Sequence, residues 1–160
     1  GDILRNSTIP SHIEEALRRG ELIPSDDYVS IVLPYLSKQE FSEKPMILSA
    51  VGRWVGEEAG VIKALDSANH PLKAVIQIEL PNEQVFERWR NLAHNDDRGG
   101  RYDDEEHILK KRLLEYQEKT LPALDEYRKA ELLIAIDGNQ SPDKVHAKII
   151  EELLRRANNR

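Results

Sequence analysis

Cysteine is absent from the 160 residues, which excludes disulfides and thiolate metal sites. An excess of positive charge is absent as well. Against 29 Asp and Glu stand 23 Lys and Arg, a net charge of −6, so general affinity for nucleic acid, which needs a basic surface, is not expected. No apolar run approaches the roughly 20 residues that span a bilayer. No signal-peptide pattern is visible, and the expectation is a cytoplasmic protein with no membrane partner. A phosphate-cradling loop of the form GxxxxGK(S/T) does not occur either. The chain opens at Gly1 without an initiator Met, directly in a helical pattern, as though cut from something longer. What it has in quantity is 39% hydrophobic and 32% charged residues, the composition of one soluble domain with a real core.

Helical and strand patterns alternate along the chain. Ser11 and Glu14 form a capping box for the helix HIEEALRRG, which Gly20 closes. Ser25 is placed to cap a second helix through DDYVSIVLPYL, with a kink expected at Pro34. PMILSAV (45–51) reads as a buried strand, EEAGVIKALDSAN as a helix, and KAVIQIEL as the clearest strand in the chain. A helix capped by Asn82 follows, then the loop NDDRGGR. A long helix from about Asp104 to Ala130 is expected to break at Pro122. LLIAIDG is a third buried strand, and a terminal helix starts with Ser141 at the cap and Pro142 at its first position. Three apolar strands separated by helices imply an α/β fold with a parallel sheet covered on both faces.

Chemistry is concentrated in a few segments. The loop RGGRYDD and the helix after it carry Arg101, Asp103, Asp104 and Arg112, the two arginines eleven positions apart. Charge spread over the oxygens of a phosphoryl group in transit is met by positioned cations, and Arg suits the task because its planar fork makes two directed hydrogen bonds. GDILR carries Arg5, GELIP carries Leu22 and Ile23, and SAVGRW carries Arg53 with Glu57 four residues later. VFERWRN carries Arg88, and IDGNQS carries Gly138 and Gln140. Singly, each has a bland reading: a solvated surface arginine, a helix stop, a charged loop. Accident is a poor explanation of all of them in this order. His12, His70, His94, His107 and His146 have no partners at metal or triad spacing and read as surface residues, and Trp54 and Trp89 read as packing.

Together these motifs resemble the adenylate kinases and their close relatives among the nucleoside-monophosphate kinases, over nearly the whole chain. GDILR is similar to the family's GDLLR, GELIP to GELVP, and IDGNQS to IDGSQS. The resemblance implies a P-loop-type parallel sheet flanked by helices, with the acceptor-binding helices at about 1–37, a short lid without zinc at about 95–104, and core elsewhere. It implies that Arg5 and Arg53 hold the phosphate of AMP while Leu22 and Ile23 line its adenine. Arg88, Arg101 and Gln140 would meet ATP, with magnesium bound alongside it. Arg101, Arg112 and Arg53 would be the catalytic cations, and Asp103 and Asp104 would restrain the lid. Two departures stand out. Ser49 occupies the place of an Asp that helps order magnesium through water, and Glu57 that of a Gln that reads adenine.

The resemblance begins after the family's first strand, P-loop, first helix and second strand. The first strand lies mid-sheet in the family, so PMILSAV and KAVIQIEL would flank unpaired backbone. Each buried unpaired group costs about 1–3 kcal/mol, and a handful would exhaust a stability of roughly 5–15 kcal/mol. These residues alone are therefore not expected to be an autonomous enzyme. The leading expectation is a monomeric kinase moving the γ-phosphoryl of ATP to AMP. Two alternatives stay open: a non-catalytic nucleotide-binding module from the same family, and a kinase for CMP or UMP.

Overall fold

The computed structural model describes residues 9–23, 27, 30, 31, 34, 38, 44–93 and 105–158. It forms two compact units, Gly1–Leu72 with Tyr102–Glu126, and Lys73–Arg101 with Tyr127–Arg160. No helix among the described residues is long and apolar enough to cross a membrane.

In the first unit, helix α1 (Ser11–Arg18) begins one residue earlier than the capping-box reading required. Pro10 holds the cap position with extended geometry (φ −58°, ψ 147°), and no side chain caps the helix. The Pro10 carbonyl instead accepts from the amides of Ile13 and Glu14 at 3.0 and 3.3 Å. The end follows expectation. Gly20 turns left-handed at φ 71°, its amide donates to the Leu17 carbonyl, and that of Glu21 to Ala16, the paired bonds of a Schellman motif. Helix α2 (Glu57–Ser67) closes in the same way through Asn69 at φ 60°. The core of this unit joins Ile13, Ile23, Val61 and Leu65, with Met46, Leu48, Val51 and Leu72 packed against it. Of the helix expected over 25–36, only residues 27, 30, 31 and 34 are described, each helical; the kink at Pro34 lies outside what can be described.

Residues 45–51 do not form the expected strand. They run as irregular chain with Met46 and Leu48 against the core, Ile47 fully exposed and Ala50 at φ 59°. A strand exists only when a neighbour takes up its amides and carbonyls, and none among the described residues pairs with this segment.

The long helix is also corrected. It is a continuous helical run: α3 (Glu106–Glu115), a π turn at Tyr116–Thr120, and α4 (Leu121–Lys129). Pro122 lacks an amide and crowds the carbonyl four residues back. The helix widens in the turn just ahead of it, where the Leu121 amide donates to the Tyr116 carbonyl.

The second unit holds a two-stranded parallel sheet, β1 (Val75–Glu79) beside β2 (Leu133–Asp137), in register from Val75↔Leu133 to Glu79↔Asp137. Helix α5 (Asn82–Ala93) follows β1. The Pro81 carbonyl accepts from the Val85 amide at 3.1 Å, so Pro81 takes the cap and Asn82 is already helical. Helix α6 (Pro142–Asn158) follows β2 and starts as expected, with the Ser141 carbonyl accepting from Val145. Arg156 Nη1 ties α6 to the Leu132 carbonyl at 3.0 Å. The expected α/β fold with a parallel sheet flanked by helices is present, and its cover is uneven: Ile76 and Ile78 are 37% and 54% exposed, while Ile136, the register partner of Ile78 on the same face, is 2% exposed. Two strands give too narrow a sheet to bury every apolar side chain of a buried-strand pattern.

Candidate functional site

Within the first unit, charge is gathered where the chain turns into α2. Gly56, at φ 97°, permits a sharp turn that a side chain would strain. The Glu57 carboxylate, 2% exposed, reaches back to accept from the amides of Arg53 and Trp54 at 3.2 and 3.3 Å. Arg53 is thereby held by its main chain. Burial lowers the pKa of its guanidinium below the ordinary arginine value, and the charge of Arg112 lowers it further; Tyr116, Glu115 and Glu57 act in the opposite sense. An arginine starts so high that it stays cationic. Each of the two guanidiniums therefore keeps its charge in the field of the other.

Helix α3 supplies the second of them. Ile108, Arg112 and Glu115 recur at helical spacing along one side, and this side meets the end of α1. A Cβ placed on Gly20 would lie 2.8 Å from Ile108 Cγ2 and 3.4 Å from Arg112 Cγ. Only glycine admits so close an approach. Glu115, 4% exposed, contacts Lys119 Nζ at 2.5 Å and Lys111 Nζ at 3.6 Å and lies 3.5 Å from the Leu22 amide. Burial alone would raise its pKa. The hydrogen bonds from Lys119 and the Leu22 amide, with the charges of Lys119 and Lys111, more than offset this and hold it below its ordinary value. The Lys119 ammonium also sits over the Trp54 ring, 4.1 Å from its centre, a cation–π contact.

The second unit builds a different feature. Gly138 follows β2 and comes so close to β1 that its amide donates to the Glu79 carbonyl at 2.7 Å. Arg88 Nη2, from α5, donates to the Gly138 carbonyl at 2.8 Å and lies 3.5 Å from that of Gln140. Asp137 accepts from the Asn139 amide at 2.8 Å and from Gln140 Nε2 at 3.2 Å, bonds that lower its pKa. Ile78, Arg88, Gly138, Gln140, Val145 and Ile149 line an open groove of about 300 Å³, within the size range of small-molecule sites.

Comparison with known proteins bears on both features. The adenylate kinase of Chloroherpeton thalassium is 31% identical, the match covering 96% of this chain and 84% of that protein. The adenylate kinase of Methanosarcina barkeri is 30% identical over 93% of this chain and 82% of its own length. The chain belongs to the adenylate kinase family. The adenylate kinase of Thermus thermophilus is similar too, at 28% identity over 93% of this chain. No family model matches.

Of the residues in the adenylate kinase motifs, Arg53 and Arg112 lie in the first unit, where the charge of Arg112 acts on Arg53, and Arg88 lies beside the Gln140 carbonyl in the second. Ile23 is part of the core, 8% exposed, and Leu22 is half-buried beside Glu115. Glu57 is buried against two amides. Arg5, Arg101, Asp103 and Asp104 lie outside the described residues. Sequence reasoning missed Glu115, Lys119 and the placement of Trp54. The signal was present in Lys111, Glu115 and Lys119 at i, i+4 spacing, but such series decorate most solvated helices. His12 pairs with Asp27 at 2.9 Å and His107 with Glu105 at 3.2 Å, all partly or well exposed, in keeping with surface roles.

Proposed function

We propose that this protein is a nucleoside-monophosphate kinase that transfers the γ-phosphoryl of ATP to AMP, giving two ADP. The observation that carries the reading is the placement of two arginines within the first unit: Arg53, held through its amide by the buried Glu57, and Arg112, on the side of α3 that packs against Gly20, whose charge acts on Arg53. Cations so placed suit a transfer in which charge on phosphoryl oxygens must be neutralised. Arg53, with Arg5, holds the acceptor phosphate. Arg112, with Arg101, acts on the group being transferred, while Asp103 and Asp104 restrain the lid. Leu22 and Ile23 shape the acceptor side. Glu57 fixes the Arg53 backbone, and contact with an acceptor base would require it to leave those amides. Arg88 and Gln140 form the groove for the ATP base.

Magnesium accompanies ATP in this reading. Among the described residues no group of three His, Cys, Asp or Glu side chains could hold a metal ion, and the neutral Ser49 adds none. Ser49 favours a second reading, a nucleotide-binding module that does not turn over. A coupled assay of the full-length protein with AMP, CMP and UMP as acceptors tests both. Turnover with AMP preferred is the expected result; tight nucleotide binding without turnover would support the module.

A further inference from the structure

Glu115 has no role in the assignments above, yet it is a buried carboxylate with two lysines and a main-chain amide around it. It is nearly shut off from water, and a buried charge persists only where partners compensate it. Its partners come from three places. Lys111 and Lys119 lie on its own helical run, the Leu22 amide belongs to the turn after α1, and Lys119 carries the contact on to the ring of Trp54, the residue after Arg53. It also shares a side of α3 with Arg112, whose stem rests near Gly20. One carboxylate therefore joins the helix that bears one arginine, the turn that bears Leu22, and the neighbourhood of the other arginine.

We propose that Glu115 is a positioning residue: through Lys119 over the Trp54 ring it holds the segment that bears Arg53 against the side of α3 that bears Arg112, and it fixes the Leu22 turn, so that the acceptor phosphate meets a preassembled pair. This rests on the kinase reading. Without the carboxylate the two guanidiniums separate, and the acceptor must gather them at a cost in ordering. Simple electrostatics argues the other way. Deleting a negative charge makes the cluster more cationic and would by itself tighten the binding of any phosphate. The sign of the effect therefore separates positioning from charge balance.

The test uses the full-length protein with Glu115→Gln, which keeps the shape and an oxygen for the Leu22 amide, and Lys119→Met, which removes the nearest partner of Glu115. Lys119→Met also keeps the test decisive if the first variant does not fold. KM for AMP should rise tenfold or more in Glu115→Gln and by a smaller factor in Lys119→Met, while KM for ATP stays within about twofold. The Arg53 side-chain Nε–H signal, followed by NMR without nucleotide, should broaden in both variants. An unchanged or lowered KM for AMP in both variants would overturn the proposal. A wild-type protein that does not phosphorylate AMP would sink the kinase reading instead. The NMR signal then decides: broadening upholds the positioning role, and an unchanged signal overturns it.

Discussion

The two units handle arginine in opposite ways. In the second, Arg88 is spent on carbonyl oxygens, bonded to Gly138 and close to Gln140, and its groove is a matter of shape and backbone. In the first, Arg53 lies in the field of Arg112, and a buried carboxylate stands close by. The difference teaches where each region is vulnerable. Changes of charge should be felt chiefly in the first unit, and changes of volume chiefly in the second.

The largest effect should come from truncating the arginine pair. Arg112→Ala is expected to lower turnover by on the order of a hundredfold, the cost of removing one donor to developing charge, with a smaller loss of affinity for AMP and little change in that for ATP. Arg88→Ala should instead weaken ATP binding and leave single-turnover rates at saturating ATP nearly intact. Single-turnover kinetics with titrations of both nucleotides checks the contrast. A rate loss below about threefold in Arg112→Ala would remove the catalytic role, since a transition-state contact should contribute at least about a kilocalorie per mole.

Next is a change of volume in the second unit. A Cβ on Gly138 would stand 2.7 Å from the Glu79 carbonyl oxygen and 2.7 Å from Ile78 Cγ2, one of them backbone that yields only if the sheet moves. Gly138→Ala should destabilise the protein by about 1–3 kcal/mol, the usual cost of overpacking, and weaken ATP binding because the carbonyl that Arg88 holds moves with it. Denaturant unfolding measures the first and titration the second. If the variant is as stable as the wild type, the close approach of β1 and the Gly138 turn is not a constraint.

Much of this was legible in the sequence, for identifiable reasons. KAVIQIEL and LLIAIDG announce strands because their β-branched runs end at Pro81 and Gly138, and both strands form. PMILSAV carries the same apolar signal and forms none, because pairing depends on a neighbour that no local pattern reveals. Pro122 marked the right neighbourhood for a disturbance, yet the helix absorbed it in a π turn rather than breaking. At the candidate site, the arginines show in the sequence because the motifs that bear them resemble those of the adenylate kinases. Glu115 does not, because its burial comes from the approach of the Gly20–Leu22 turn, a tertiary event.

A smaller effect should follow from weakening one fork of the pair without removing its charge. Arg53→Lys replaces two directed hydrogen bonds by a point charge. Charge-assisted contacts are worth roughly 1.5–3 kcal/mol, so affinity for AMP should fall about tenfold while that for ATP stays put. Calorimetric titration with each nucleotide decides. Equal losses for both would mean that Arg53 serves the cluster as a whole and not the acceptor.

The smallest effect is a pH dependence, and it returns to the contrast between the units. Glu115 and Asp137 both titrate below their ordinary values of 4.5 and 3.8. A carboxylate with a depressed folded pKa contributes stability that is complete above its unfolded pKa and is lost as pH falls through the folded one. The window therefore opens near pH 4.5 for Glu115 and near 3.8 for Asp137, and extends downward in each case. Glu115 is shut away among two lysines and an amide, whereas Asp137 is exposed and its bonds are screened by water. In thermal unfolding from pH 6 to pH 3, Glu115→Gln should remove more of the acid sensitivity of the wild type than Asp137→Asn. The gap between wild type and Glu115→Gln should begin to close near pH 4.5, where the glutamate of the unfolded chain takes up its proton first, and go on closing as pH falls through the lower folded pKa. A larger loss of acid sensitivity in Asp137→Asn would place the dominant titrating carboxylate in the second unit and reverse the contrast.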